Sequence, residues 1–174
     1  MSTTSAPASA STLPVIAFIG GGNMASAIIG GLIHQGLPAS QIEVVEPWAE
    51  AREALRKNYG IEAQAEAGPA LQRAGIVVWA VKPQTFKDAA AQAKSHTPAA
   101  LHLSVAAGIR SSSIAQWLGT ERIVRTMPNT PALVGKGMSA IYARPAVTPA
   151  ERQSVEAIMA STGESLSFRE LDER

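Results

Sequence analysis

The amino-acid sequence predicts an α/β fold: a doubly wound, mostly parallel sheet with helices packed on both of its faces. Strand-like and helix-like segments alternate along most of the chain, which is typical of a parallel sheet whose connections are helices. The clearest strands, PVIAFI (14–19) and GIVVWAV (75–81), are apolar runs, as expected for strands buried on both faces. With 174 residues, of which 46% are hydrophobic, the chain is long enough to form one such domain.

The other elements follow from apolar periodicity and from turn-forming residues. Helical spacing, ended in each case near a glycine, predicts helices over 23–35 and 48–59. We expect further helices around 69–73 and over 84–95, 111–118 and 148–161, and further strands at 41–46, 61–64, 101–107, 122–127, 138–143 and 164–168. The folded domain then spans residues 14–168, and residues 1–13, rich in Ser, Thr, Ala and Pro, form a disordered tail.

Composition excludes several classes of protein. The formal net charge is +1, so no strong electrostatic field attracts nucleic acid or an anionic membrane. The chain has no cysteine, which excludes disulfides, thiolate nucleophiles and cysteine-ligated metals. Neither a secretory signal nor an apolar run of membrane-spanning length is present in the sequence. We therefore expect a cytoplasmic protein that binds neither nucleic acid nor membranes.

A glycine-rich turn opens the first predicted helix. Residues Gly20–Ala25 (GGGNMA) follow the first strand directly and have the pattern G-x-G-x-x-A. In dinucleotide-binding folds of the Rossmann type, the first glycine permits a tight turn and the second lets the backbone approach a pyrophosphate. The small third residue lets the helix lie close to the strand, and the helix N-terminus offers N–H groups to the phosphates. We interpret the turn as a dinucleotide site; the alternative is a purely structural turn.

The second predicted strand ends at Glu46. A carboxylate there would accept hydrogen bonds from a ribose and repel the 2′-phosphate of NADP, which favours NAD. Arg52 and Arg56 on the next helix are the alternative, since either could reach a 2′-phosphate. The interpretation that we prefer places both on a solvated face, paired with Glu50 and Glu53.

Four segments, in this order, resemble the pyrroline-5-carboxylate reductase family: IGGGNMASAIIGGL (19–32), AVKPQ (80–84), SVAAGI (104–109) and RTMPNTPALVGKGM (125–138). The resemblance covers residues 14–168. Enzymes of this family reduce the C=N bond of 1-pyrroline-5-carboxylate to L-proline with a hydride from NAD(P)H, so the resemblance implies an oxidoreductase of proline biosynthesis. Because the family commonly uses NADPH, we expect NADPH as the cofactor, with NADH as the alternative.

The resemblance also implies which residues contact the ligands. The cofactor-binding set follows the carboxyl ends of four predicted strands: Ile19, Gly20, Gly21, Gly22, Asn23, Met24, Glu46, Ala80, Val81, Lys82, Pro83, Val105, Ala106 and Ala107. Asn129 would face the substrate. These positions lie at the sheet edge where doubly wound folds bind ligands. The alternatives are an exposed loop lysine for Lys82 and, for Asn129, a turn residue that bonds its own backbone.

Two departures from the family pattern bear on these expectations. Ala67 stands where the family often has an Asn that touches the adenosine ribose. In the family, an all-helical domain that forms the homo-oligomer and completes the substrate pocket follows the last strand, whereas this sequence ends at Arg174. We therefore expect residues 169–174 to be the start of an absent helical domain, and the isolated chain to be nearly inactive.

No further constellation points to chemistry, so we assign no catalytic residue and no metal site. The remaining candidates are interpreted as structural or surface histidines and as packing rather than stacking tryptophans: His34, His96 and His102, and Trp48, Trp79 and Trp117. Two other functions remain as alternatives. The first is a non-catalytic nucleotide-binding module or remnant, and the second is another Rossmann-fold reductase of the β-hydroxyacid dehydrogenase type.

Overall fold

The computed structural model describes residues 13–106, 108–128, 137–160 and 163–169. Seven strands form one sheet in the order β2-β1-β3-β4-β5-β6-β7. They are β1 (Ile16–Ile19), β2 (Ile42–Val45), β3 (Ile76–Trp79), β4 (Leu101–Ser104), β5 (Ile123–Pro128), β6 (Gly137–Ala143) and β7 (Gly163–Arg169). The first five strands are parallel, β6 is antiparallel to β5, and β7 is parallel to β6. The predicted mostly parallel sheet is confirmed.

Helices cover both faces of the sheet. They are α1 (Asn23–His34), α2 (Ala49–Tyr59), α3 (Pro83–Ala93), α4 (Ser111–Leu118) and α5 (Pro149–Met159). Buried side chains of α1, α2 and α5 pack on one face, together with Ile16 and Phe18 of β1. Buried side chains of α3 and α4 pack on the other face, together with Ala17 and Ile19. The alternation within β1 explains why its sequence is apolar throughout, as predicted.

The strand order reverses between β1 and β3. Ile19, the last residue of β1, pairs with Val45 on one side and with Trp79 on the other. Three strands therefore end side by side, and the segments that follow them leave the same edge of the sheet. Doubly wound folds bind ligands in the crevice at this reversal point. The topology thus places the glycine turn, Glu46 and Ala80 around one crevice.

The predicted strand at 61–64 is wrong. Only Gln64 pairs with β2, through a single parallel bridge to Val45. Its N–H donates to the Val44 carbonyl at 2.8 Å, and its carbonyl accepts from the Glu46 N–H at 2.7 Å. The chain reaches this edge from Gly60, which ends α2 in the left-handed conformation with φ of +70°. The segment therefore arrives beside the last residues of β2 and leaves before a ladder forms.

A buried aromatic cluster lies beneath α3. The Trp79 ring is fully buried and stacks on Phe86 with ring centroids 4.8 Å apart. The ring of Trp117 in α4 also packs against Phe86, with ring centroids 5.8 Å apart. The packing interpretation is therefore confirmed for Trp79 and Trp117.

His102 is the polar member of this cluster. It is 2% exposed, and its Nδ1 accepts a hydrogen bond from Trp79 Nε1–H at 3.0 Å. Burial, and secondarily the positive charge of Arg122, lowers the pKa of His102 to about 4. The imidazole is therefore neutral at neutral pH, and its role is structural, as the sequence indicated.

In the described part of the chain, no helix is both long enough and apolar enough to cross a membrane.

Candidate functional site

A cavity of about 540 Å³ opens at the reversal point of the sheet. Its lining comes from the glycine turn after β1, the loop between β2 and α2, the segment between β3 and α3, and one face of α3. The predicted residues that line it are Ile19, Gly20, Gly22, Glu46, Ala80, Val81 and Lys82. Residues distant in sequence are thus brought together where the topology places a ligand.

Gly20 occupies a position that only glycine fits. Its φ is +99°, in the region that side chains disfavour. A Cβ at this position would lie 2.5 Å from the backbone oxygen of Ala80. The Gly20 N–H donates to the Val45 carbonyl at 2.8 Å. The first glycine therefore lets the turn pass between the ends of β2 and β3.

Gly21 and Glu46 connect the glycine turn to the end of β2. The buried Gly21 donates its N–H to Glu46 Oε1 at 3.0 Å. The second carboxylate oxygen, Oε2, accepts from the Trp48 N–H at 2.9 Å. Two backbone donors therefore hold the Glu46 carboxylate at the cavity wall. Each oxygen keeps a second lone pair, which can accept a hydrogen bond from a ligand hydroxyl.

Gly22 directly precedes α1, and the N-terminus of this helix is open toward the cavity. No side chain caps this helix, and its first turn has no acidic residue. A Cβ built on Gly22 would have no atom within 4 Å, so the surface beside the turn is bare backbone facing open space. Helix N-termini bind anions through unpaired N–H groups and the helix dipole. The geometry suits a phosphate group placed directly on this turn.

The two arginines of α2 are already engaged. Arg52 Nη1 donates to the carbonyls of Glu46 and Pro47, at 2.9 and 2.7 Å, and so stabilises the β2–α2 loop. The predicted pairing of Arg52 with Glu50 is therefore wrong. Arg56 pairs with Glu53 on the exposed face, as the sequence indicated. The hydrogen bond with Arg56 lowers the pKa of Glu53. Neither guanidinium lines the cavity.

The other predicted site residues lie outside the cavity lining. Asn23 and Met24 begin α1, Pro83 begins α3, and Gly21 is buried within the glycine turn. Val105 and Ala106 follow β4 and are 8% and 6% exposed, each packed in one of the two cores. Ala107 and Asn129 fall outside the described residues.

The structure adds residues to the site that sequence reasoning missed. Trp48 is 62% exposed and lines the cavity, so its interpretation as a packing residue is wrong. Five lining residues of α3 share one helix face: Thr85, Asp88, Ala89, Gln92 and Ala93. Their spacing of three and four residues was a readable signal, but only the packing of α3 shows that this face borders the cavity.

Two alanines contribute small side chains to the cavity lining. They are Ala65 and Ala67, and Ala67 packs against the core that lies beneath α3. The Ala67 side chain offers no hydrogen bond to a ligand, so the polar side chains of the lining include Glu46, Lys82 and those of α3. Within the described ranges, no group of three or more His, Cys, Asp or Glu residues is arranged to hold a metal ion.

Comparison with known proteins identifies relatives of this chain. Residues 15–108 match the family described as NADP oxidoreductase coenzyme F420-dependent. The pyrroline-5-carboxylate reductase of Pseudomonas aeruginosa is 42% identical over 155 residues, which are 88% of this chain and 57% of that protein. The chain therefore spans a little over half the length of this relative.

Two solved structures are also similar to this chain. The pyrroline-5-carboxylate reductase of Coxiella burnetii superposes with a TM-score of 0.83 at 32% identity, over 90% of this chain and 59% of that one. The pyrroline carboxylate reductase of Plasmodium falciparum with NADP bound has a TM-score of 0.76 at 24% identity, over 90% and 58% of the two chains. The latter likeness concerns the fold alone.

Proposed function

The chain belongs to the pyrroline-5-carboxylate reductase family, and from this premise we propose that it supplies the dinucleotide-binding part of an NAD(P)H-dependent reductase. The substrate is 1-pyrroline-5-carboxylate, and the product is L-proline. When bound, the reduced nicotinamide supplies a hydride to the carbon of the protonated C=N bond. The single observation that carries the proposal is the cavity at the reversal point, with an uncapped helix N-terminus at Gly22.

The residues present fit a dinucleotide. The bare backbone at Gly22 and the first turn of α1 would hold the pyrophosphate. Glu46, fixed by the N–H groups of Gly21 and Trp48, would accept hydrogen bonds from the adenosine ribose. Ala80, Val81 and the backbone of Lys82 would lie along the path toward the nicotinamide. No strong general base is required, since a protonated imine is already electrophilic, and the protein's contribution is orientation.

The preference between NADPH and NADH rests on Glu46. The matched family model, which is described as an NADP oxidoreductase, supports NADPH. Against this, the Glu46 carboxylate is fixed at the cavity wall, and Arg52 donates to backbone carbonyls instead of facing the ligand. A fixed carboxylate repels a 2′-phosphate. We propose NADPH as the cofactor, with NADH accepted at comparable affinity because of this repulsion.

Replacing Glu46 by Ser tests that preference. Removal of the charge should tighten NADPH binding relative to NADH by about tenfold, the effect of ~1.4 kcal/mol of relieved repulsion. Dissociation constants of both cofactors, measured by calorimetry for wild type and variant, give the ratio. Glu121→Ser, at an exposed carboxylate that does not line the cavity, is the control. An unchanged ratio would mean that the Glu46 carboxylate does not meet the ribose.

Substrate binding and assembly extend beyond the described residues. Asn129 is proposed to face the substrate, and homo-oligomers are proposed to form through the part of the family's length that this chain does not span. Orientation is worth up to roughly 7–11 kcal/mol of a barrier, so these 174 residues alone should bind cofactor and turn over negligibly. Substrate-dependent oxidation of NADPH measures this. Turnover equal to that of a full-length relative would contradict it.

Binding at the glycine turn is tested by Gly22→Val. The added side chain would occupy the space in which the pyrophosphate approaches the backbone, so binding of NADPH and NADH should fall below detection. Ala27→Val, on the exposed side of the same helix, is the matched control and should bind as the wild type does. Calorimetry measures all three proteins. Wild-type binding that survives Gly22→Val would place the ligand elsewhere.

A further inference from the structure

Trp48 is exposed in a manner that folding does not explain. Among the residues that the structure describes, the large hydrophobic side chains that are exposed are Trp48, at 62%, and Met24, at 38%. Met24 belongs to the glycine turn, and Trp48 lines the cavity. A tryptophan left in water forgoes the stabilisation that burial of its large ring provides. Its position therefore points to a ligand that covers it.

The backbone of Trp48 is held in place before any ligand arrives. Its N–H donates to Glu46 Oε2 at 2.9 Å, and its carbonyl accepts from the Arg52 N–H at 3.1 Å in the first turn of α2. Pro47 precedes it and limits the backbone further. Only the two side-chain torsions of the indole remain to be ordered on binding, which is a small entropic cost for a large flat surface.

The order of groups along the cavity indicates what the indole would meet. Gly22 offers the pyrophosphate site and Glu46 the ribose site, and Trp48 lies two residues beyond Glu46. In a dinucleotide the next group after that ribose is the adenine ring. The cavity lining also includes the small apolar residues Ala65 and Ala67, and Asp88 and Gln92 of α3. The side chains of Asp88 and Gln92 offer polar atoms to the edge of a base.

We propose that Trp48 is the stacking face for the adenine of the dinucleotide. The proposal rests on the proposed function and adds to it the residue that binds the base. Stacking on an aromatic side chain accepts any base face, so Trp48 supplies affinity for the adenosine half. The reacting nicotinamide end does not depend on it.

The test uses ADP-ribose, which carries the adenosine half and lacks nicotinamide. Trp48→Ala should weaken ADP-ribose binding about tenfold, within the range measured for loss of one base-stacking contact. Trp48→Phe, which keeps an aromatic face, should restore affinity to within about threefold of wild type. Trp117→Phe is the matched control, because Trp117 packs beneath α3 and does not line the cavity. Calorimetry gives the dissociation constants.

Intrinsic fluorescence provides a readout that a merely structural role would not move. ADP-ribose should quench the emission of wild type and of Trp117→Phe, and the quench should disappear in Trp48→Phe. Because Trp48 is mostly exposed, circular dichroism should show Trp48→Ala folded as wild type. If Trp48→Ala binds ADP-ribose as wild type does, the role of Trp48 is overturned while the proposed function stands. If wild type binds neither ADP-ribose nor NADH at millimolar concentration, both the role of Trp48 and the proposed function are overturned.

Discussion

Two tryptophans in this chain, Trp79 and Trp48, follow different rules although each belongs to a segment at the same edge of the sheet. Trp79 ends β3 with its ring fully buried against Phe86 and its N–H bonded to His102. Trp48 follows β2 and is 62% exposed beside the cavity. The first side chain stabilises the fold, and the second is available to a ligand. The difference shows that Trp48 lies on a loop that is anchored to the core and whose side chains remain exposed to a ligand.

Trp79→Ala should give the largest effect of the changes that separate the two regions. Removing a fully buried Trp costs about 3–5 kcal/mol, and it also removes the donor to His102. Urea unfolding of wild type and variant measures the loss of stability. Under conditions in which Trp79→Ala is folded, its dissociation constant for NADPH should lie within about twofold of the wild-type value, a difference of ~0.4 kcal/mol. If Trp79→Ala lost cofactor affinity without losing stability, the buried region would contribute to ligand binding, which contradicts this comparison.

Acid should weaken the buried region through His102. The folded-state pKa of His102, about 4, lies below the ordinary histidine pKa of 6.5, so between these values the unfolded chain binds more protons than the folded chain. The contribution of neutral His102 is complete above pH 6.5 and is lost as the pH falls toward 4. The loss is about 3 kcal/mol at most.

Urea midpoints between pH 7 and pH 4.5 measure this slope. His102→Gln, whose amide oxygen can accept from Trp79, should flatten it. His34→Gln, at an exposed position of α1, should leave it as in wild type. Identical slopes for all three proteins would show that His102 is protonated without cost, contrary to its burial.

Trp48→Ala should give the smallest effect on stability. Because most of the ring is in water, its removal should change the free energy of unfolding by less than about 0.5 kcal/mol. The same urea titration used for Trp79→Ala measures it. A loss as large as that of Trp79→Ala would mean that Trp48 is a packing residue after all.

Local patterns allowed much of this molecule to be predicted from its sequence. The alternation of strands and helices predicted the sheet, and the GGGNMA turn predicted the position of the crevice. Gly20 shows why the turn could be predicted: its positive φ and its closeness to Ala80 permit only glycine at this position. A local constraint of this kind is visible in the sequence because it fixes the residue type.

What the sequence did not show depends on how loops lie in space. The bond from Gly21 to Glu46 joins residues far apart in sequence, and the engagement of Arg52 with two carbonyls depends on the path of the β2–α2 loop. Residues 61–64 follow a helix where a strand was expected, yet only Gln64 pairs with β2. The exposure of Trp48 follows from the same loop, since composition alone favours burial for tryptophan.

The central claim is that a nicotinamide dinucleotide binds at the glycine turn and leaves the buried region unchanged. Titration of the ¹⁵N-labelled chain with NADPH and with NADH, followed through backbone amide chemical shifts, tests it most directly. We predict that the amide signals of residues 20–25, of Trp48 and of Val81 shift with ligand, whereas those of α4, which does not line the cavity, keep their positions. Shifts confined to α4, or no shifts at millimolar ligand, would contradict the claim.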